Sequence, residues 1–217
     1  KHILEAALKS STFEKMCYVS TVNVLAPQHT TATAAEIDVC NPYTSPNKIH
    51  SFASAEQALQ FISTTENATN DKWVKAIDIG YYDSKLAAQE LVNYYVQHHQ
   101  LNVVSVLPGT MFGAYDFLIG SGVYITTLYS QGIPVALKTG FPLTHVMDVA
   151  EAHVQGLEWL LEGRGSRVFN LGTGRGHSVL EVVRSFEAAS GRRIPYEIVD
   201  RRPGDAATCY ADPTRAH

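Results

Sequence analysis

The residues with the clearest chemical potential in this chain are a tyrosine and a lysine four positions apart, Tyr81 and Lys85. Residues i and i+4 of a helix share one face, with Cβ atoms about 5–6 Å apart. A phenol is a poor acid or base at neutral pH, but a neighbouring ammonium favours its ionised form. Such a pair could take a proton from an alcohol, or return one to a carbonyl, during hydride exchange with a nicotinamide. Taken alone, the spacing also fits an ordinary amphipathic surface helix.

Several short motifs follow segments whose residue pattern predicts β-strands. In chain order they are YVSTV (18–22), LPGTMFG (107–113), HVMDVA (145–150), NLGTG (170–174) and RRPGD (201–205). The first ends a strand with two hydroxyls, those of Ser20 and Thr21. Asp148 lies at a strand-to-helix junction, where its charge favours the helix N-terminus, and a catalytic role is the less favoured alternative.

Helix and strand patterns alternate along the chain. Apolar spacing predicts helices near residues 3–8, 55–61, 81–99 and 178–190, and strands near 16–21, 102–107, 167–172 and 195–200. Residues 144–161 are expected to begin as the end of a strand and to continue as a helix. This alternation favours an α/β fold with a largely parallel sheet. Residues 26–79 are otherwise polar and irregular.

The composition is ordinary for a globular chain. Apolar residues make up 45% and charged residues 18% of its 217 residues, and the net charge is −4. The sequence has neither a basic surface for nucleic acid nor an apolar run of about 20 residues for a bilayer. The N-terminus does not resemble a signal peptide, and three widely spaced cysteines favour neither disulfides nor a zinc site. We expect a cytoplasmic protein with no metal, nucleic-acid or membrane partner.

Taken together and in this order, the motifs resemble the extended short-chain dehydrogenase/reductase family, the NAD-dependent epimerases and dehydratases. The segment NLGTGRGHSVLEVV (170–183) with RRPGD (201–205) resembles the C-terminal part of the UDP-glucose 4-epimerases. The resemblance implies a Rossmann-type doubly wound parallel sheet, its N-terminal part apparently missing, and a smaller C-terminal α/β substrate lobe. Residues 1–113 would be the C-terminal half of the dinucleotide-binding domain. Residues 114–217 would be mainly the lobe, with 144–171 returning to the Rossmann sheet.

The resemblance also implies a role for each candidate residue. Tyr81 would be the catalytic acid/base, Lys85 would hold the nicotinamide ribose and favour the ionised phenol, and Thr21 would hydrogen-bond the reacting oxygen. The implied cofactor-binding residues are Tyr81, Lys85, Pro108, Gly109 and Thr110, and the implied substrate-binding residues are Thr21, Thr110, Arg202 and Asp205. The guanidinium of Arg202 suits phosphate oxygens, and the carboxylate of Asp205 can accept from ribose hydroxyls.

The cofactor implied is NAD or NADP, and the partner is a small-molecule substrate, with a nucleotide sugar as the leading candidate. The residue that separates the two cofactors belongs to the N-terminal part of the family's fold. Members of the family commonly form dimers through the helix that carries the tyrosine. The resemblance therefore implies a homodimer through residues 81–99. In that helix, Tyr94 and Tyr95 could serve either the interface or the core.

Two features depart from the family's pattern. The glycine fingerprint of the cofactor loop is absent, the chain begins within a helical pattern and both ends look cut, so we expect a fragment. Sixty positions separate Thr21 from Tyr81, more than is usual in the family. Residues 27–79 are therefore expected to be an insertion, either a flap over the substrate or a surface excursion.

Three functions remain open from the residues. The C-terminal tail favours a nucleoside-diphosphate-sugar 4-epimerase. The alternative is an NAD(P)H-dependent reductase or dehydrogenase, similar to dihydroflavonol reductases or hydroxysteroid dehydrogenases. It remains open because this chain has Thr110 where the epimerases have an asparagine, and because residues 139–144 lack the arginine that the epimerases usually have there. A non-catalytic dinucleotide-sensing protein is the second alternative, against which the retained Tyr81, Lys85 and Thr21 argue.

The glycine-rich stretch Gly172–Gly176 is not expected to hold the cofactor. A strand, glycines and a helix in that order are typical of a phosphate-binding loop. However, the spacing G-x-G-x-G differs from the dinucleotide fingerprint, and the stretch follows the 81–99 helix. We expect a tight strand-to-helix turn with Ser178 as the helix cap.

Overall fold

The structure alternates helices and strands, as the patterns predict. This computed structural model describes residues 1–25, 33–34, 43, 51–66, 81–116, 120–131, 135–137, 140–199 and 210–216. The helices are α1 His2–Lys9, α2 Ala55–Glu66, α3 Tyr81–His99, α4 Gly122–Ser130, α5 Val146–Leu161 and α6 Val179–Ser190, with a 3₁₀ turn at Val22–Val24. The strands are β1 Met16–Val19, β2 Thr33–Ala34, β3 Val103–Pro108, β4 Thr110–Phe112, β5 Val135–Leu137, β6 Gly140–His145, β7 Arg167–Leu171, β8 Gly176–Ser178, β9 Glu197–Val199 and β10 Tyr210–Ala211. Within these ranges, no helix is long and apolar enough to cross a membrane.

A parallel sheet ordered β1-β3-β7 forms the centre of the described chain. Tyr18 of β1 pairs with Ser105 of β3, which pairs in turn with Val168 of β7. Every residue of β3 is buried, as expected for the middle strand of a parallel sheet covered on both faces. The prediction of an α/β fold with a parallel sheet is confirmed.

The alternation of side chains along β3 separates two layers of helices. On one side, Val103 packs with α1 and α3, and Leu107 packs with Leu86 of α3. On the other side, Val104 and Val106 pack against α5. Because successive side chains of a strand point to opposite faces, each residue of β3 belongs to one layer only.

A second, smaller group of elements packs around Leu128, Val183 and Ile194. It contains α4 and α6, and β5 pairs with β9 in parallel beside α6. The predicted cap of α6 is present as a capping box: the Glu181 N–H donates to Ser178 Oγ at 3.2 Å, and the Ser178 N–H donates to Glu181 Oε2 at 2.7 Å. The division of the chain into a dinucleotide-binding part and a substrate lobe stays a prediction.

The glycine-rich stretch before α6 differs in one respect from the expected tight turn. Gly174 has a φ of +71°, which glycine adopts without strain. Gly176, however, begins the short strand β8, which pairs antiparallel with β6 through Gly176 and Pro142. The chain therefore reaches α6 through an additional strand that the glycine pattern did not indicate.

Tyr115 has an unusual backbone conformation for a bulky residue. Its φ is +71°, and its side chain is 89% exposed, so that packing offsets little of the strain. The next residue, Asp116, fixes the loop by accepting from the N–H groups of Gly120 (3.0 Å) and Gly122 (2.9 Å).

We expect Tyr115→Gly to raise the free energy of unfolding by up to about 1 kcal/mol. The left-handed region costs a non-glycine residue roughly 1–2 kcal/mol, and the larger entropy of glycine in the unfolded chain offsets part of the gain. Thermal denaturation of Tyr115→Gly and Tyr115→Ala checks this. The alanine variant keeps the Cβ and should not be stabilised, and a lower midpoint for the glycine variant would contradict the expectation.

Candidate active site

Tyr81 and Lys85 lie at the beginning of α3 on one face of the helix, as predicted. The Lys85 Nζ is 5.9 Å from the centroid of the Tyr81 ring. The Tyr81 side chain is 55% exposed, and Lys85 is half-buried. The Ser84 hydroxyl donates to the Tyr81 carbonyl oxygen at 2.8 Å. The phenol is thus accessible to a ligand while an ammonium approaches it from its own helix.

The end of β1 places buried hydroxyls close to the beginning of α3. Ser20 and Thr21 are 4% and 5% exposed, and the Ser20 N–H donates to the Val106 carbonyl of β3 at 2.9 Å. Burial, together with the nearby Tyr81 phenol, raises the pKa of Tyr18 on β1. The predicted residues Thr21 and Tyr81, sixty positions apart in the sequence, therefore belong to the same region of the fold.

The Pro108–Thr110 segment is fixed by hydrogen bonds among three strand ends. The Gly109 N–H donates to Thr144 Oγ1 at 3.1 Å and to the Leu171 carbonyl at 3.3 Å, and the Thr144 hydroxyl donates to the same carbonyl at 3.1 Å. A Cβ on Gly109 would lie 2.9 Å from Pro142, so glycine is required here. Sequence reasoning missed Thr144, although a hydroxyl at the end of an apolar strand was a usable signal.

One apolar cluster holds these segments together. Val22, Leu86 and Leu107 are buried members of this cluster. Each of them is adjacent in the sequence to a predicted site residue, and those residues are Thr21, Lys85 and Pro108. The packing of the cluster therefore fixes the relative positions of β1, α3 and β3 next to the site.

The position of Asp148, at the junction of β6 and α5, supports its interpretation as a residue that stabilises the helix N-terminus. His145 caps α5, since its Nδ1 accepts from the Met147 N–H at 3.3 Å. Asp148 lies in the first turn, where a carboxylate interacts favourably with the helix dipole. Both side chains are exposed.

A buried polar network beneath α3 was not anticipated from the sequence. Gln89 is fully buried, and its Nε2 donates to Asn93 Oδ1 at 3.0 Å and to Ser105 Oγ at 3.3 Å. Ser105 lies in the middle of β3. The network therefore ties α3 to the central strand. The sequence signal for it was a polar residue on the buried face of an amphipathic helix.

A second polar contact links α3 to the interval between Thr21 and Tyr81. The Tyr43 phenol lies beside the Glu90 carboxyl, and each group affects the pKa of the other. Burial raises the pKa of Glu90, the neighbouring Tyr43 hydroxyl opposes that effect, and the carboxylate of Glu56 adds to it. Burial and the Glu90 charge also raise the pKa of Tyr43.

We expect Glu90→Gln to raise the thermal midpoint at pH 7 by about 2–4 °C, which corresponds to roughly 1 kcal/mol for a chain of this size. Because the folded-state pKa of Glu90 lies above its unfolded value, the stability contributed by the protonated form is lost as the pH rises through the folded-state pKa. Glutamine has the same shape and stays neutral at every pH. The difference between variant and parent should vanish near pH 4, whereas exposed Glu158→Gln should change little at either pH.

Two of the predicted substrate-binding residues, Arg202 and Asp205, lie outside the described residues. The chain is described again from Tyr210, and the Asn170 Nδ2 donates to the Asp212 carbonyl at 3.2 Å. In the part that the structure describes, no group of three or more His, Cys, Asp or Glu side chains could hold a metal ion. The predicted contacts of Arg202 and Asp205 therefore stay predictions.

Known sequences match the chain over part of its length. The UDP-glucose 4-epimerase of Bacillus subtilis (strain 168) is 57% identical over 72 residues, which are 33% of this chain and 21% of that protein. The human UDP-glucose 4-epimerase is 53% identical over 72 residues, with the same two shares. The UDP-glucose 4-epimerase of Drosophila melanogaster is 46% identical over 93 residues, 42% of this chain and 27% of that protein. The matched part spans about a fifth to a quarter of these relatives.

Solved structures resemble the chain over more of its length. The UDP-glucose 4-epimerase of Stenotrophomonas maltophila, with bound NAD and formylated UDP-arabinopyranose, is 32% identical with a TM-score of 0.53, covering 62% of this chain and 47% of that one. The UDP-glucose 4-epimerase of Thermus thermophilus, in complex with NAD, is 21% identical with a TM-score of 0.61, covering 98% and 60%. Because the Thermus thermophilus enzyme is only 21% identical, its similarity to this chain concerns the fold alone.

A family model matches residues 63–172, just over half of the chain. With this match, the shared fold and the Tyr81–Lys85 helix, the chain belongs to the NAD-dependent epimerase/dehydratase family.

Proposed function

We propose that the complete protein is an NAD-dependent nucleoside-diphosphate-sugar 4-epimerase in which Tyr81 is the catalytic acid/base. The observation that carries this proposal is the exposed Tyr81 phenol beside the Lys85 ammonium, 5.9 Å from its ring, in the region where β1 ends in buried hydroxyls. A tyrosine with a cation beside it and a hydroxyl near the reacting oxygen is suited to moving a proton on a secondary alcohol.

The residues around Tyr81 fit a bound nicotinamide nucleotide. The Ser20 hydroxyl is buried and has no hydrogen-bond partner among the described side chains and backbone, so a polar ligand group could satisfy it. Lys85 would hold the nicotinamide ribose, and the Pro108–Thr110 backbone would border the ring. When bound, the nicotinamide supplies hydride acceptance and return. Solved relatives hold NAD, which supports NAD over NADP.

The chain's own residues would perform the proton transfers. Tyr81 would remove the hydroxyl proton as the alcohol is oxidised and return it as the carbonyl is reduced on its other face. Thr21 would donate a hydrogen bond to the reacting oxygen and fix its position. Lys85 would favour the ionised phenol by its positive charge. The cycle leaves no net change in the cofactor.

The substrate class is proposed from the relatives and from the C-terminal tail. The matched curated relatives are UDP-glucose 4-epimerases, and a solved relative holds formylated UDP-arabinopyranose. Arg202 would contact the diphosphate and Asp205 a ribose hydroxyl, in keeping with the geometry that each group prefers. We therefore propose a UDP-sugar as the substrate and a C4-inverted sugar as the product.

The second candidate is a reductase or dehydrogenase of the same family. It is favoured by Thr110, where the epimerases have an asparagine, and by the absence of arginine from residues 139–144 of the sequence. Incubation of the complete protein with UDP-glucose and catalytic NAD separates the two. An epimerase inverts C4, as sugar-nucleotide NMR detects, without steady change in nicotinamide absorbance, whereas steady cofactor turnover would favour the reductase. Binding of NAD without either reaction would favour the dinucleotide-sensing alternative.

We further propose a cytoplasmic protein and a homodimer. A second copy would reach α3 mainly at its two ends, because Tyr94 is the only exposed side chain between Leu86 and Val96. Tyr95 on the same helix is buried and packs in the core. Sedimentation at micromolar concentration gives the oligomeric state.

A further inference from the structure

We propose that Tyr43 and residues 51–66, named here the buttress, hold the beginning of α3 in place, and that Asp83 is the positioning residue through which the buttress sets Tyr81 and Lys85. This inference rests on the proposed function, because it assigns Tyr81 the acid/base role. The family match begins at residue 63, so residues 51–62 lie outside it. Most of the buttress, Tyr43 and residues 51–62, therefore lies outside the family match.

The buttress packs against α3 and the elements beside it. Ala58 of α2 is fully buried, and Leu59 and Ile62 pack against the cluster that contains Leu91 of α3. Closer to the site, Tyr43 and Phe52 pack against the cluster of Val22, Leu86 and Leu107. The sequence left two roles open for residues 27–79, a flap over the substrate or a surface excursion. The described residues of the buttress contribute to two core clusters, so they are not a surface excursion.

A two-point clamp joins the buttress to the first turn of α3. The Ser51 N–H donates to Asp83 Oδ1 at 2.6 Å, and the Ser51 hydroxyl donates to Asp83 Oδ2 at 2.9 Å. Asp83 lies midway between Tyr81 and Lys85 in the sequence. Hydrogen bonds to a carboxylate are stronger than those between neutral groups, and two of them also fix its orientation.

The first turn of α3 depends on this clamp for its order. Tyr81, Tyr82 and Ser84 are exposed, so packing holds little of the turn, whereas Asp83 is half-buried. The first N–H groups of any helix lack partners within the helix, and helix ends open locally more readily than helix centres. Without the Ser51–Asp83 contact, the turn that carries Tyr81 would be held mainly by its own backbone.

The anchors lie on the side of α3 away from the catalytic pair. At 100° per residue, positions 83 and 90 differ by only about 20° around the helix, whereas positions 81 and 85 both lie about 160° from position 83. The Ser51–Asp83 clamp and the Tyr43–Glu90 contact therefore lie on the opposite side of α3 from the catalytic pair. Movement of the helix away from these anchors would displace the Tyr81 phenol relative to Thr21, and a misplacement of about 1 Å can lower a rate roughly 10²-fold.

The test uses the complete protein with NAD and UDP-glucose, and compares Asp83→Ala, Asp83→Asn and a control, Glu5→Ala. Glu5 is likewise an acidic residue in the first turn of a helix, α1. That helix packs with Leu91 and Tyr95 of α3 and not with its first turn. We expect Asp83→Ala to lower kcat at least about tenfold with a smaller change in KM. Asp83→Asn keeps one acceptor oxygen and should restore part of kcat.

Hydrogen exchange gives a readout that does not depend on activity. The amides of Lys85 and Leu86 close the first turn of α3, and they should exchange at least about tenfold faster in Asp83→Ala than in the parent or in Glu5→Ala. Unchanged exchange would overturn the inference, as would a lowered thermal midpoint with unchanged kcat. If the parent is inactive but the exchange difference is present, the proposed function fails and the anchoring of α3 stands without its catalytic role.

Discussion

We expect Tyr81→Phe to lower the kcat of the complete protein by about 10²–10⁴-fold, the usual contribution of a general acid or base. The change removes one oxygen and keeps the ring, and the side chain is 55% exposed, so the fold should tolerate it. Steady-state kinetics with UDP-glucose and NAD measure the effect. The KM should change little, because the hydroxyl stabilises the transition state more than it binds the ground state.

Tyr82→Phe is the matched control for this prediction. Tyr82 is the next residue of α3, is also exposed, and its ring lies 5.7 Å from that of Tyr81 in an edge-on arrangement. Loss of a hydroxyl from Tyr82 should leave kcat within about twofold of the parent, whereas a Tyr81→Phe variant that retains full turnover would remove Tyr81 from the mechanism.

We expect Leu107→Ala to lower the free energy of unfolding by about 2–5 kcal/mol, the range for truncation of a buried leucine. Leu107 is fully buried in the cluster that also contains Val22 and Leu86. The cavity would lie where the segments that carry Thr21, Lys85 and Pro108 meet. The thermal midpoint should fall by about 2–4 °C for each kcal/mol, as calorimetry or circular dichroism would show.

Ile3→Ala provides the comparison for Leu107→Ala. It also truncates an aliphatic side chain, but Ile3 of α1 is largely exposed, so the midpoint should hardly move. Equal losses in the two variants would mean that the Leu107 cluster does not carry the stability assigned to it. At a temperature where both proteins are folded, only Leu107→Ala should also lower kcat.

The sequence predicted the elements whose residues carry a strong periodic signal. The bounds expected for α3 are those observed, because Leu86, Leu91 and Tyr95 recur at helical spacing and are buried. The cap of α6 at Ser178 was also predictable, because it depends on Ser178 and Glu181, which are only three positions apart. The proximity of Tyr81 and Lys85 on one face of α3 was predictable for the same reason, since it depends on residues four positions apart.

Elements and contacts that depend on residues outside the segment itself could not be predicted. The segment GVYITTLYS is rich in β-branched and aromatic residues, yet it forms α4, with Asp116 binding the N–H groups of Gly120 and Gly122 at its beginning. Likewise, Ser51 and Asp83 meet across 32 positions, and no local pattern indicates their contact. Such pairings follow from the whole fold rather than from spacing along the chain.

The long interval between Thr21 and Tyr81 also bears on how a fold of this kind can acquire new sequence. Closing a flexible connection costs entropy that grows with the logarithm of its length, so each doubling adds only about 0.6 kcal/mol. Burying a single apolar side chain contributes roughly 1.5–3 kcal/mol. An inserted segment that packs one helix against α3 can therefore offset the entropy of its own length. Two segments that pack in one cluster, such as those that carry Thr21 and Tyr81, can thus be separated by many positions of chain while the cluster stays intact.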